Sequence, residues 1–203
     1  MADALYHTLR TVLAPLADRY FRLSVSGEEH LPPGPFILAS NHSSLLDWLF
    51  VARFVPRPVR FVLSREFFDQ PGLTWVYRQL GIIPVREGMI EIAAVRQLLT
   101  TLRRGEIVGF FPEGRITRDG VLLPAEPGVI ALAARAGVAI VPAGVRGAFE
   151  AFPRDAWMPR PRPVRVRFGD PLRIARSAMT DRDEQRQLAA ELMRRIGALR
   201  AEA

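Results

Sequence analysis

Two short segments carry side chains that could move a proton and hold an anion. In the first, Asn41-His42-Ser43-Ser44-Leu45-Leu46-Asp47, an apolar run ends directly in polar residues. In one continuous helix a five-residue offset turns the chain by about 500°, so His42 and Asp47 would face different ways. They can meet only if His42 lies just before a helix and Asp47 one turn inside it, with Ser43 or Ser44 as the N-cap. Asp47 would then accept a bond from one imidazole nitrogen and leave the other free to take a proton. The second segment is Phe111-Pro112-Glu113-Gly114-Arg115. Gly114 permits close approach to backbone. Arg115 offers a planar fork for phosphate or carboxylate. Glu113 is placed to orient that arginine or to bond a substrate hydroxyl. A third segment, Gly81-Ile-Ile-Pro-Val-Arg86, presents another arginine after an apolar run. A His–Asp pair and two arginines at separate strand ends predict a site for a phosphorylated substrate with a nucleophilic hydroxyl.

Rigid elements must hold these residues. Seven short runs, at 22–26, 36–40, 59–63, 82–85, 107–111, 138–141 and 164–168, read as strands, and most are continuous apolar runs suited to burial on both faces. Helical patterns lie between them. Met89, Ile92, Val95, Leu99 and Leu102 form one stripe that Gly105 ends. Residues 129–136 form a second helix, stopped by Gly137. A last helix opens at Thr180, with Asp183 completing a capping box, and carries Leu188, Leu192, Ile196 and Leu199. This alternation predicts an α/β fold, a single domain with a mixed, mostly parallel sheet flanked by helices. The first 23 residues stand apart as an amphipathic helix: Leu5, Leu9, Val12, Leu13, Leu16, Tyr20 and Phe21 recur at three- and four-residue steps, and Pro15 kinks it. That helix either packs on its own domain or lies in a membrane interface. The division is therefore an N-terminal amphipathic helix, 1–23, and a catalytic domain, 24–203.

Composition removes several classes of chemistry. At 203 residues, 49% hydrophobic and 24% charged, the chain is globular and large enough for one core. The absence of cysteine excludes disulfides, thiolate nucleophiles, Cys-ligated zinc and iron–sulfur clusters. The histidines are only His7, His30 and His42, so no His-rich metal site is expected. All 28 basic residues are arginine, which removes Schiff-base lysines and a P-loop lysine. The net charge of +7 is uneven: 16 Arg face 14 acids in residues 1–150, and 12 Arg face 7 acids in 151–203. Such a balance favours anionic partners. In the stretch 159–168, Arg160 and Arg162 alternate with prolines, then Val164, Val166 and Phe168 alternate with Arg165 and Arg167. This predicts an edge strand whose basic face is either salt-bridged or set against an anionic surface. No apolar run approaches the roughly 20 residues of a membrane span. Asp3 and Arg10 break any signal-peptide pattern.

The same residues carry a family resemblance. Asn41–Asp47 resembles the H-x4-D motif of the glycerolipid acyltransferases, the lysophosphatidic acid acyltransferase superfamily. Phe111–Arg115 is similar to that family's phosphate-binding block, Gly81–Arg86 to its intervening block and Val138–Pro142 to its last, an apolar strand ending in proline. The four occur in the family's order over roughly residues 24–150. Two positions depart from the pattern. The commoner third block has a Thr between Gly and Arg, whereas Arg115 follows Gly114 directly, a form similar to the acyltransferase domain of lysophosphatidylethanolamine-acylating enzymes. The second block lacks the aromatic and acidic residues often found before its arginine.

The resemblance implies an O-acyltransferase of phospholipid biosynthesis. A fatty acyl group would move from acyl-CoA or acyl carrier protein to the free hydroxyl of a lysophospholipid, with 1-acylglycerol-3-phosphate, giving phosphatidic acid, as the leading acceptor. Lysophosphatidylethanolamine or another lyso-lipid is the alternative. His42 would be the general base and Asp47 its partner. Glu113, Gly114, Arg115 and Arg86 would hold the acceptor's glycerol phosphate. No metal and no bound cofactor are implied, nor any nucleic-acid partner. The expected place is the cytoplasmic face of a membrane, peripheral, against anionic lipid. Two other classes remain: a thioesterase or lipase using Ser43 or Ser44 with His42, and a non-catalytic basic module for nucleic acid or membrane.

Overall fold

The seven apolar runs become the seven strands of one sheet. The computed structural model describes residues 14–86 and 91–203. The strands are β1 (Ser24–Ser26), β2 (Ile37–Ser40), β3 (Val59–Ser64), β4 (Ile83–Val85), β5 (Ile107–Phe110), β6 (Ile140–Arg146) and β7 (Arg165–Phe168). Their order is β1-β7-β6-β2-β5-β3-β4. All neighbours run parallel except β6 and β7, where the ladder is antiparallel and pairs Ala143 with Phe168. β2 is central: Ile37 pairs with Val108 on one side and Ile140 on the other.

Helices cover both faces, which explains why β2, β5 and most of β6 are continuously buried. On one face α1 (helical residues 14–21) and α2 (Asp47–Arg53) pack Ala17, Phe21, Phe50 and Val51 against Phe36, Leu38, Phe61, Val145 and Phe168. On the other, α5 (Ile92–Arg103), α6 (Gly128–Ala136) and α8 (Arg182–Glu202) bring Leu98, Leu102, Ile130, Leu192 and Ile196 onto Ile37, Ala39, Val108 and Ile140. Three shorter α-helices are also described: α3 (Arg65–Phe68), α4 (Thr74–Gln79) and α7 (Ala148–Ala151). The α/β class and the mixed, mostly parallel sheet are as the sequence predicts. No helix among the described residues is long and apolar enough to cross a membrane.

Several local expectations need correction. The sixth strand begins at Ile140 and runs on to Arg146, past Pro142. Proline lacks one ladder donor but its φ suits a strand, and Pro142 still accepts a bond from the Gly169 N–H at 2.9 Å. The cap of α8 is Asp181, whose side chain accepts from the N–H groups of Asp183 and Glu184 at 2.9 and 3.0 Å, in place of a Thr180 capping box. In α5 the buried face is Ala94, Leu98, Leu99 and Leu102, whereas Ile92 is exposed; Met89 lies outside the described residues.

The strand at 165–168 is not an edge: β7 lies between β1 and β6. Its arginines serve the end of α8. Arg165, with Arg146 beside it, donates to the Ala203 carbonyl, and Arg167 pairs with Glu202 at 3.3 Å. Cations at a helix carboxyl end are favourable. The amphipathic helix at 1–23 is described only from Ala14 onward, and there its pattern splits. Phe21 is buried against Phe50, while Leu16 and Tyr20 face outward.

Candidate active site

Sheet direction assembles the site. β2, β3, β4, β5 and β6 run the same way, so the segments after each strand share one edge. His42 follows β2, Arg65 follows β3, Arg86 follows β4 and Phe111–Arg115 follow β5. Ligands of parallel α/β sheets bind at such carboxyl ends.

At the centre His42 Nδ1 lies 3.0 Å from Asp47 Oδ2. Asp47 is fully buried, and His42 keeps 17% of its side chain exposed. The pair meets as its spacing requires: His42 precedes the helix and Asp47 is the first residue of α2. The serines act through their backbone and not as side-chain N-caps. The N–H groups of Ser43 and Ser44 donate to Asp47 Oδ2 at 2.6 and 2.7 Å, and the N-cap position is Leu46. The Ser44 hydroxyl accepts from Leu46 N–H at 3.2 Å and donates to the Phe152 carbonyl at 2.7 Å. It is turned away from His42, which removes it as a nucleophile. With Nδ1–H donated to the carboxylate, the tautomer assigned from this bond leaves Nε2 as the acceptor.

The second segment differs from expectation. Glu113 neither orients Arg115 nor offers an open carboxylate to a substrate. Its Oε1 accepts from the His42 backbone N–H at 2.7 Å and its Oε2 from Leu123 N–H at 2.8 Å. Glu113 is buried, and burial raises its pKa above the ordinary carboxylate value; the two backbone N–H bonds and the electrostatic interaction with the nearby imidazole oppose that rise, and Asp47 adds to it. Its position makes it the clamp between the β2 and β5 ends. Thr117 N–H donates to the His42 carbonyl at 2.9 Å and closes the clamp.

Arg115 projects into solvent and makes no ion pair among the described residues. Gly114 shapes its approach: at φ 69° it is left-handed, and a Cβ there would meet only Glu126 Cγ, at 3.7 Å, so the space above the turn is open. Arg86 is also exposed, and its Nε donates to Glu91 at 2.9 Å. Arg65 reaches the other oxygen of Glu91, 3.7 Å away.

Four positions around the site carry contacts that the sequence reading did not assign. The Asn41 side chain donates to the Val145 carbonyl at 3.0 Å and accepts from Val145 N–H at 2.7 Å. It extends the β2–β6 ladder by one step after the backbone has turned away, which releases His42 toward the edge. Phe111 stacks on the His42 ring with centroids 3.9 Å apart and a 12° tilt, and stacks in turn on Phe61. Phe152 holds Ser44, as described above. Arg65 was recoverable, because it follows a predicted strand as Arg86 and Arg115 do. The others reveal themselves only through long-range contacts. Phe61 also lines a small apolar crevice with Trp48, Ala52, Val59, Leu80 and Ile82.

Comparison with known proteins bears on this geometry. A family model described as Acyltransferase matches residues 22–146, more than half of the chain. The chloroplast 1-acyl-sn-glycerol-3-phosphate acyltransferase of Arabidopsis thaliana is 28% identical over 138 residues, covering 66% of this chain and 38% of its own length. The human 1-acyl-sn-glycerol-3-phosphate acyltransferase alpha is 33% identical over 140 residues, 66% of this chain and 49% of its own. The matched region is thus half or less of these relatives. The crystal structure of the 1-acyl-sn-glycerophosphate (LPA) acyltransferase PlsC from Thermotoga maritima superposes with a TM-score of 0.73 at 25% identity, over 97% of this chain and 83% of that one.

Proposed function

The chain belongs to the acyltransferase family, within the glycerolipid acyltransferase superfamily, and from that premise we propose that it esterifies the free hydroxyl of 1-acylglycerol-3-phosphate with a fatty acyl group from acyl-CoA or acyl carrier protein. The observation that carries the proposal is the His42–Asp47 contact at 3.0 Å on the sheet edge that also bears Arg115, Arg86 and Arg65.

Nε2 of His42 takes the proton of the acceptor hydroxyl as its oxygen attacks the thioester carbonyl. Asp47 stabilises the imidazolium that forms. The carbon–oxygen bond forms, the carbon–sulfur bond breaks, and the leaving thiolate takes the proton from the His42 imidazolium, which restores the neutral base. The acyl group passes directly, with no acyl-enzyme. Arg115 and Arg86, joined by Arg65, receive the acceptor phosphate; Gly114 leaves room for it. Attachment is peripheral, at the cytoplasmic face, through the outward face of the N-terminal helix and the unpaired arginines.

The deciding experiment offers a panel of lysophospholipids with each thioester donor and reads products by mass spectrometry. Phosphatidic acid as the dominant product is expected. Preferred acylation of lysophosphatidylethanolamine would move the acceptor assignment, in line with the missing Thr before Arg115. Thioester hydrolysis without any acylated acceptor would overturn the transferase reading.

A further inference from the structure

We propose that residues 153–163, the loop between α7 and β7, form a bilayer-contacting wedge that seats Trp157 and Met158 in the interfacial layer of an anionic membrane beside His42. The inference rests on the lysophospholipid reading, since only an amphiphilic acceptor requires the catalytic edge to meet a lipid surface.

Trp157 is 89% exposed, more than any other large apolar side chain among the described residues, and Met158 beside it is 52% exposed. An indole left in water forfeits a large apolar area, and tryptophan is the side chain most at home in a membrane interface. The loop is built, not loose. Pro153, Pro159, Pro161 and Pro163 restrict it. Ala156 N–H donates to the Pro153 carbonyl at 3.1 Å, and Arg160 N–H to the Ala151 carbonyl at 2.7 Å. The Tyr20 hydroxyl donates to the Pro159 carbonyl at 2.8 Å. That bond joins the loop to the outward face of α1, where Leu16 and Tyr20, one turn apart, are exposed. The loop and the outward face of α1 are therefore joined at this bond.

Charge identifies the occupant. Arg154, Arg160 and Arg162 flank the tip, exposed and without a carboxylate partner among the described residues; Asp155 is the loop's only acid. Elsewhere after residue 150 much of the basic charge is spent within the fold. Arg165 and Arg167 hold the end of α8, and Arg186, Arg194 and Arg195 pair with acids on their own helix. An apolar tip in a ring of free arginines is complementary to an anionic bilayer, with apolar side chains below the headgroups and guanidinium groups among them. Placement agrees. The Phe152 carbonyl at the root of the loop accepts the Ser44 hydroxyl, and the Ser44 N–H holds Asp47. Seating the tip would bring the catalytic turn to the headgroup layer.

The test compares the full chain with Trp157→Ser, Trp157→Phe and an Arg154→Gln/Arg160→Gln/Arg162→Gln triple variant. Flotation on phosphatidylglycerol-containing vesicles should fall about tenfold for Trp157→Ser and recover in part for Trp157→Phe. The wild-type emission minus that of Trp157→Ser should be quenched by brominated lipid. The triple variant should lose binding to anionic vesicles and little to phosphatidylcholine. Turnover of a monomeric short-chain lyso-lipid should stay within twofold for Trp157→Ser. Unchanged flotation and an unquenched difference signal would overturn the wedge. So would a Trp157→Ser defect confined to acyl carrier protein as donor, which would make the loop a protein-docking surface. Trp157-dependent flotation by a protein that acylates no lyso-lipid would instead sink the acceptor reading and leave the wedge standing.

Discussion

The turn around His42 is fixed from five sides: Asp47 Oδ2 takes the imidazole and two backbone N–H groups, Glu113 takes the His42 N–H, and Thr117 bonds its carbonyl. On the same sheet edge Arg115 reaches into solvent, and among the described residues Arg86 pairs with a partly exposed Glu91. The half that would move the proton is organised before any substrate arrives. The half that would receive the anion is assembled from exposed cationic side chains, and its geometry would be completed by the ligand. Preorganisation is worth most where charge changes during reaction, and a flexible cation serves where only binding is needed.

Substitutions can break this contrast. His42→Ala should lower kcat by about two to four orders of magnitude with an unchanged circular dichroism spectrum; a loss below about tenfold would remove His42 as the proton acceptor. Asp47→Asn keeps an oxygen for the serine N–H groups but loses the charge facing the imidazole, so kcat should fall about a hundredfold or more. Near-normal turnover in that variant would show that the pair is structural.

Arg115→Ala should act on the other half, raising acceptor KM about ten- to a hundredfold with kcat little changed. Arg115→Lys should recover only part, since a point charge cannot make a bidentate contact. An acceptor KM unmoved in both variants would send the phosphate to Arg86 and Arg65.

Glu113 decides where the boundary between the halves lies. Glu113→Gln can accept only one of the two backbone bonds well, so kcat should fall about tenfold while acceptor KM holds. A change in KM alone would return Glu113 to the anion half. The smallest effect is on stability. Burial raises the Glu113 pKa above its ordinary 4.5. Its protonation therefore favours the folded state fully below about 4.5, and that contribution is lost as pH rises through the folded value. Urea midpoints of wild type relative to Glu113→Gln should rise as pH falls through that value and level off near 4.5. A pH-independent difference would contradict the buried, titrating clamp.

The layered fold is legible in the sequence because its strands are short apolar runs punctuated by proline and glycine, and because parallel strands buried on both faces need no polar alternation. All seven strands sit within a few residues of their predicted places, yet β7 reads as an edge and is internal. Strand order depends on pairings more than a hundred residues apart, such as Ser24 with Arg165, and local pattern carries no trace of them. The His42–Asp47 geometry is legible for the opposite reason: five residues fix it locally. Glu113 is legible as a residue of the site, but its contacts differ from those the sequence suggests. Its partners, the N–H groups of His42 and Leu123, are backbone atoms that every residue has, so no side-chain pattern marks them.

The sheet order also sets a timetable. Among the described residues β1 pairs only with β7, so the strand that anchors α1 cannot take its place until Arg165–Phe168 have been made. At about 5–20 residues per second, the roughly 140 intervening residues take on the order of ten to thirty seconds to synthesise. Throughout that interval Phe21 lacks the Phe168 side of its core, and Leu16 and Tyr20 are already outside the ribosome. A nascent chain with that much time and an apolar leading segment can reach a lipid surface before it closes its own sheet. Delivery to the membrane and completion of the fold would then be one event, ordered by the late arrival of a single strand.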